Sequence, residues 1–369
     1  MINFSFRTAD SVGSAVAAMA MAGTQPPSTT AAGTARPVAG GTNLLDLMKE
    51  NVMRPATLVD INRLHLGDIT ELPGGGLRLG ALARNAATAY HPLVRSRYPL
   101  LSSAILAGAS PQIRNMASNG GNLLQRTRCV YFYDTATPCN KREPGTGCPA
   151  QAGIARQHAI LGASAHCIAV HPSDMCVALA ALEAVVHVQG PAGARDIAFA
   201  DFHRLPGDRP EQDTVLRHDE LITHIDLPGP GGFAAHSVYI KLRERASYAF
   251  ALASVAAALE IGADGRIARA RIALGGVAHK PWRRPEAEAL LHGQRPDTAV
   301  FEAAAALLTE GAAAHGSGVG HNGFKIPLAR RAVVRALATA AAGTVSNTGD
   351  SGNNTDRSDD SSPAQDTAP

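Results

Sequence analysis

The sequence predicts an α+β protein: an N-terminal α/β region followed by a smaller, separate α+β domain. Three observations carry this. Strand-like and helix-like runs alternate through the N-terminal third. A Pro/Gly stretch, "PGPGG" at 228–232, breaks the chain. After it the pattern changes to a hairpin and then three helical runs.

In chain order, "VGSAVAAMAMAG" (Val12–Gly23) reads as a helix packing an Ala/Met/Val face. It is not a signal segment, because Arg7 is the only positive charge before it and no small-residue cleavage site follows. "RPVAGGTNLLDLMKENVMRPATLVDI" reads as a strand, a Gly-Gly turn, a helix and the strand "TLVDI". "LRLGALA" is a further strand, and "LLSSAILAGASPQIRNMA" begins as a helix expected to stop at Pro111. From about Arg126 to His158 the chain is rich in Pro, Gly, Thr and Asn without helical or strand period, which inside a domain points to function or a cross-link. Regular structure is expected to return at "HAILGASAHCIAV", then a helix and strand in "SDMCVALAALEAVVHV", then "ELITHIDLP". Beyond the linker, "FAAHSVYIKL" is strand-like, and Asp264-Gly265 turns a hairpin. "RRPEAEALLHG", "DTAVFEAAAALLTEG" and "PLARRAVVRALATAAAG" are helical. The boundaries expected are 1–229, 230–343 and a disordered tail, 344–369, too polar to offset its ordering entropy.

Composition excludes several classes. The net charge of +3 is too small to argue for nucleic acid, and no basic patch stands out. No stretch is apolar and long enough to span a bilayer. Five cysteines in a chain of 369 residues do not make a disulfide scaffold.

Two glycine turns suggest a ligand. "VAGGTNLLDLM" puts Gly40 and Gly41 between a strand and an amphipathic helix whose inner stripe is Leu44, Leu47, Met48 and Val52. Glycine there lets backbone N–H groups approach a ligand, and the helix N-terminus suits a diphosphate; Thr42 and Asn43 are placed to cap or donate. "SNGGNLLQR" repeats the pattern with Gly120, Gly121 and Asn122. Either turn alone is equally a plain strand-end turn. The P-loop pattern is absent, and "GTGCPA" fits a dinucleotide pattern by letter but has no strand before it. In "HPSDM", Ser173 and Asp174 read as helix caps, with a carboxylate on a ribose hydroxyl as the functional alternative.

Cys129, Cys139, Cys148 and Cys167 lack any C-x-x-C pair. A metal site, disulfides and unrelated buried thiols all stay open on spacing alone. Arg126, Arg128, Lys141 and Arg142 would offset an anionic iron–sulfur cluster, or simply solvate the loop. Cys176 lies in an apolar helix and reads as a packing thiol. His158, His166 and His171 are substitute ligands by type, with structural or exposed roles the plainer reading.

Together, "AGGTN", "GGNLLQR", "HPSD", "KLRERASYAFALASVA" and "ALGGVAHKPWR" resemble the flavin-binding subunit of molybdenum hydroxylases, the xanthine dehydrogenase group. "GGNLLQRTRC…PCNK…GCPA…HAILGASAHCIAVHPSDM" resembles more closely the FAD subunit of bacterial periplasmic aldehyde oxidoreductases. The resemblance spans about residues 1–340. It implies a vanillyl-alcohol-oxidase-type (PCMH) FAD-binding fold of two α/β subdomains, with a C-terminal α+β domain of the CO dehydrogenase flavoprotein type. It implies FAD diphosphate on Ala39, Gly40, Gly41, Thr42, Asn43 and Leu44 and on Ser118, Asn119, Gly120, Gly121 and Asn122. Ser173 and Asp174 would lie near the ribose or diphosphate, and Ile222 and Lys241 near the flavin. Cys129, Cys139, Cys148 and Cys167 match the ligands of a [4Fe-4S] cluster in an insertion at about 126–167. The implied partners are a large subunit with the molybdenum cofactor, which oxidises an aldehyde to a carboxylic acid, and a small subunit with [2Fe-2S] clusters. An external acceptor would then take the electrons. No acid–base pair of this chain's own is expected. The implied location is the periplasm, by co-export with a partner, or else the cytoplasm. A zinc-stabilised, non-enzymatic scaffold is the competing reading of the same thiols.

Overall fold

A computed structural model describes residues 1–21 and 34–344. Of the polar tail expected to be disordered, Thr344 is described and bonds Ala235 O at 2.7 Å, while 345–369 lie outside the described residues. Three sheets organise the chain. The first is parallel, in the order β1 (Ser5–Thr8), β3 (Thr57–Asp60), β2 (Ala35–Val38). Its return connections are the helices Val12–Ala20 and Leu44–Lys49, and the first of these starts with a reciprocal Ser11/Ser14 capping box.

The second sheet is antiparallel and five-stranded. It uses β4 (Ile69–Glu71), β5 (Leu77–Gly80), β6 (Val185–Gly190), β7 (Gly193–Ala198) and β8 (Leu221–Leu227), in the order β4-β5-β8-β6-β7. Chain segments far apart in sequence therefore meet: Leu77 pairs with Leu227 and Val185 with Asp226. Alternation in β6 turns Val186 and Val188 into the core, where the helices Pro99–Ala107 and Asp174–Ala181 cover them.

The third sheet is antiparallel: β9 (Ser237–Leu242), β10 (Ala253–Ile261) and β11 (Ile267–Gly275), with β10 central. Strand β10 is buried on both faces. Val255, Ala257 and Leu259 pack under the helices Pro285–Leu291, Thr298–Leu308 and Lys325–Ala342. Ala256 and Ala258 face the N-terminal core, and their small size lets that core approach closely. The Asp264-Gly265 turn forms as expected, with Gly265 at φ +74°.

Three local expectations are corrected. Pro111 does not stop a helix but starts one, Pro111–Met116, capped by Ser110, whose Oγ accepts from Ile113 N at 3.3 Å. A proline at the first helical position forfeits no hydrogen bond, so the break falls earlier, at Gly108–Ser110. The stretch "HAILGASAHCIAV" contains no helix or strand. Its backbone instead bonds outward, with Ile160 N and Leu161 N both on Val277 O. The cysteine loop, expected to be irregular throughout, holds a short helix, Val130–Tyr133, and a 3-10 turn, Pro149–Gln151.

Candidate functional site

Strand β2 ends at Val38, and Ala39–Asn43 turn the chain into the helix Leu44–Lys49. Gly41 sits at φ +70°, a conformation that disfavours side chains. Gly40 has a different constraint: a Cβ there would lie 1.9 Å from Met116 O. The second Gly-Gly is not the strand-end turn expected: Gly120 and Gly121 form the first turn of the helix Asn119–Leu123, which Ser118 caps by accepting from Gly121 N at 3.2 Å, while Gly120 N bonds Ala81 O at 2.8 Å. Asn43 makes no capping bond. Its Oδ1 accepts instead from Arg126 N at 2.9 Å, tying the first turn to the chain leaving the second.

Between the turns runs a cleft of two lobes. The first is lined by Ala39, Gly40, Gly41, Thr42, Asn43, Leu44, Ser118, Gly120, Gly121 and Ile222. The second is lined by Asn122, Ser173, Asp174 and Lys241, and both lobes share Thr42, Asn43, Gly121 and Gln125. Asn119 lines neither. It is fully buried, donating to Gly80 O at 3.2 Å and accepting from Thr88 at 3.0 Å. Ile222 and Lys241, both expected beside one ring system, line different lobes.

The cleft carries unsatisfied polar atoms. Arg36 Nε and Asn43 Nδ2 are buried without a hydrogen-bond partner, and both residues line the first lobe. Burial, and secondarily the Arg126 charge, lowers the Arg36 guanidinium to about 10. An anionic ligand with several acceptors would relieve both features.

In the second lobe, Ser173 caps the helix Asp174–Ala181 by accepting from Cys176 N at 3.0 Å. Asp174 accepts from Tyr239 Oη at 2.6 Å and from Lys241 Nζ at 2.8 Å. Its carboxylate is therefore held in a buried ion pair, which neither sequence reading anticipated. Burial, and next the Asp174 charge, raises the Tyr239 hydroxyl well above its ordinary value, so it stays a donor. Lys241 also donates to Ala107 O at 3.1 Å.

The four loop cysteines converge. Cys129, Cys139, Cys148 and Cys167 line one small pocket, and Cys139 and Cys167 are buried. Asn140 staples the loop around it: its Oδ1 accepts from Gly145 N and Gly147 N, and its Nδ2 donates to His166 O. Burial pushes the Cys129 thiol up to about 12 and the Cys167 thiol up to about 11. Among the described residues, two groups of three or more candidate ligand atoms lie within 4.8 Å of one another: His171–Cys176–His203 and His187–His224–Asp226. No three of the loop thiols form such a group. Four sulfurs on one zinc, at bonds of about 2.3 Å, would stand roughly 3.8 Å apart. As they stand, the loop thiols are therefore not drawn together as tightly as a single zinc would require.

The basic residues divide their work. Lys141 lines the thiol cage, while Arg126, Arg128 and Arg142 do not. Arg142 donates to Tyr131 O, Phe132 O and Thr137 O, holding the loop's own carbonyls. Arg128 lies over the Tyr133 and Phe250 rings. Arg126 and Lys141 both bind Asp213, at 2.7 and 2.5 Å. Burial pushes the Asp213 carboxyl up, but Arg126, Lys141 and His279 outweigh it and hold it well below the usual carboxylate range. Sequence reasoning missed Asp213, Arg36 and Tyr239, none of which has a local motif. Of the substitute ligands, His166 is exposed, His171 is buried beside His203, and His158 Nε2 lies 3.0 Å from Cys129 Sγ. Cys176 is fully buried.

A two-lobed cleft between two glycine pairs, with unpaired buried donors in its wall, is a frame suited to a large anionic ligand, and the family match makes this chain a flavoprotein. The chain belongs to the family described as the FAD binding domain in molybdopterin dehydrogenase, which matches residues 3–230, and residues 238–340 match the CO dehydrogenase flavoprotein C-terminal domain. It is 51% identical over 306 residues to the aldehyde oxidoreductase FAD-binding subunit PaoB of Escherichia coli K12, covering 83% of this chain and 91% of that one. The glyceraldehyde dehydrogenase medium chain of Sulfolobus acidocaldarius is 29% identical over 260 residues, covering 70% and 74%. Among solved structures, reconstituted CO dehydrogenase from Oligotropha carboxidovorans aligns with a TM-score of 0.71 at 26% identity, over 93% of this chain and 100% of that one. The protein is thus the FAD-binding medium subunit of a molybdenum-hydroxylase oxidoreductase complex. Among the described residues no helix is long and apolar enough to cross a membrane.

Proposed function

We propose that this chain is the electron-transfer subunit of an aldehyde oxidoreductase and carries a [4Fe-4S] cluster beside its FAD. The observation that carries the reading is the continuity of one segment: Ser118–Cys129 begins as the second glycine turn and ends as the first cage thiol. The 51% identity to an aldehyde oxidoreductase subunit supports the substrate class.

Ala39–Leu44 and Ser118–Asn122 would hold the FAD diphosphate, with Arg36 and Asn43 offering their unpaired donors to it. The first lobe, with Ile222, suits the adenosine end. The second lobe suits the flavin ring, because Lys241 and Asp174 pair in its wall, with Tyr239 bonded to Asp174 behind it, and the exposed Tyr248 marks an opening to solvent. FAD, when bound, supplies the exchange between one- and two-electron chemistry. This chain's residues bind and orient it: Lys241 brings positive charge to the lobe, and Asp174 fixes the ammonium in place. Cys129, Cys139, Cys148 and Cys167 would hold the cluster, which supplies one-electron storage when bound. Catalysis at the aldehyde belongs to a large partner with the molybdenum cofactor. A small partner with [2Fe-2S] clusters delivers the electrons, and an external acceptor removes them. Co-export to the periplasm with a partner completes the reading; cell fractionation tests it.

The decisive experiment is the metal and flavin content of the complex as isolated. The reading requires FAD and, in this subunit, about four irons per chain. Zinc at the thiols and no flavin absorbance would establish the scaffold alternative instead.

A further inference from the structure

We infer that His158 is a positioning residue for the thiol cage: its Nε2–H donates to the Cys129 sulfur and so raises the reduction potential of the iron–sulfur cluster held there. This rests on the cage reading above. His158 is 5% exposed, and its Nε2 stands 3.0 Å from Cys129 Sγ. A metal-bound thiolate has no proton, so the contact can be kept only by an N–H on the imidazole. That assignment leaves Nδ1 unprotonated, and Nδ1 is a buried atom without a hydrogen-bond partner. A donor on a ligating sulfur stabilises the more negative, reduced cluster and moves its potential upward.

The ring is held from behind. His158 N bonds Ala155 O at 2.8 Å. His158 O accepts from Lys325 Nζ at 2.7 Å and from Asn322 Nδ2 at 3.3 Å. Lys325 is fully buried at the start of the helix Lys325–Ala342, and its second bond goes to Gly276 O at 2.6 Å. The C-terminal domain therefore sets where the imidazole stands. His158 and Cys129 both line the cage and a second cavity, whose wall also includes Val130, Ile154, Ser173 and Phe250, so their contact lies where the two spaces meet. A side chain that bonds a metal-bound sulfur in this way fixes the ligand's orientation and tunes the metal group.

The test uses the intact complex with His158→Leu, which removes the donor, and His158→Gln, whose amide can restore it. Iron content and an EPR-monitored redox titration are the readouts. In His158→Leu, iron and flavin should be retained while the reduced-to-oxidised ratio of the cluster at a fixed ambient potential falls about tenfold, equivalent to about 59 mV for one electron. His158→Gln should recover most of that shift, and the flavin midpoint should not move in either. An unchanged cluster midpoint in an iron-replete His158→Leu overturns the inference. So does loss of iron from both variants, or a nitrogen hyperfine coupling in the wild type that both abolish, since either makes His158 a ligand. A wild-type complex without iron in this subunit overturns the cage reading itself.

Discussion

Lys141 and Asp213 form a buried ion pair, Nζ to Oδ1 at 2.5 Å, where the cysteine loop meets the nucleotide cleft. Lys141 belongs to the wall of the cage and Asp213 to the wall of the first lobe, and Arg126 binds the same carboxylate. One carboxylate thus holds two elements, 72 residues away in the case of Lys141. Asp213→Asn would remove the carboxylate charge that Arg126 and Lys141 share. The lysine side chain is 1% exposed but Asp213 is 24% exposed, so the cost falls at the lower end for a broken buried pair, about 3 kcal/mol. Denaturant unfolding should show that loss, with a drop in bound FAD. Unchanged stability would mean that solvent already screens the pair.

Much of the nucleotide cleft was legible because its signals are local. Gly40-Gly41 announces the turn that forms, whereas Gly120-Gly121 falls inside the short helix that Ser118 caps, and Ser173 caps its helix as its residue type suggests. The cysteine spacing was also visible, but spacing alone could not say that the thiols converge. Asp213 was not legible: its partners come from a distant loop, and a single acidic residue in a polar stretch has no period. That Ile222 and Lys241 line different lobes was hidden for a similar reason. Each lies on a strand whose position in the sequence does not reveal which lobe it faces.

The close approach at Gly40 predicts a selective loss of cofactor. Gly40→Ala places a methyl group against Met116 O, so the first turn must shift away from the helix Pro111–Met116. Overpacking of this kind costs about 1–3 kcal/mol, and each 1.4 kcal/mol is about tenfold in affinity. FAD should therefore bind about 5- to 100-fold more weakly, read as a lower flavin-to-protein absorbance ratio after gel filtration. Wild-type flavin content in this variant would show that the diphosphate lies elsewhere.

Asp174 and Lys241 should behave as a coupled pair. They are 8% and 4% exposed at their side chains and 2.8 Å apart. Lys241→Met strands a buried carboxylate and Asp174→Asn strands a buried ammonium, each costing about 3 kcal/mol. The double variant should cost less than the sum by about 2 kcal/mol, because neither charge is then left alone. Unfolding of the three variants gives the cycle. Strict additivity would mean that Tyr239 and Ala107 O, the other partners, suffice for each charge.

Retention of iron should depend on pH in a direction set by the thiols. Burial holds Cys129 up at about 12 and Cys167 up at about 11, so without metal both are protonated at neutral pH. Ligation requires thiolates, and each proton displaced on binding makes affinity rise with pH. A raised thiol pKa thus works against the cluster most strongly at low pH and progressively less as pH approaches the thiol values. With a fixed excess of chelator, iron loss should be fastest near pH 6 and slow steadily toward pH 9, while flavin content stays level over the same range. The Lys141 ammonium favours the Cys167 thiolate, second only to burial among the influences on it. Lys141→Met should therefore make iron loss faster at each pH while leaving the upward trend intact. Iron loss that is flat across this range would show that the thiols are not the groups that hold the metal.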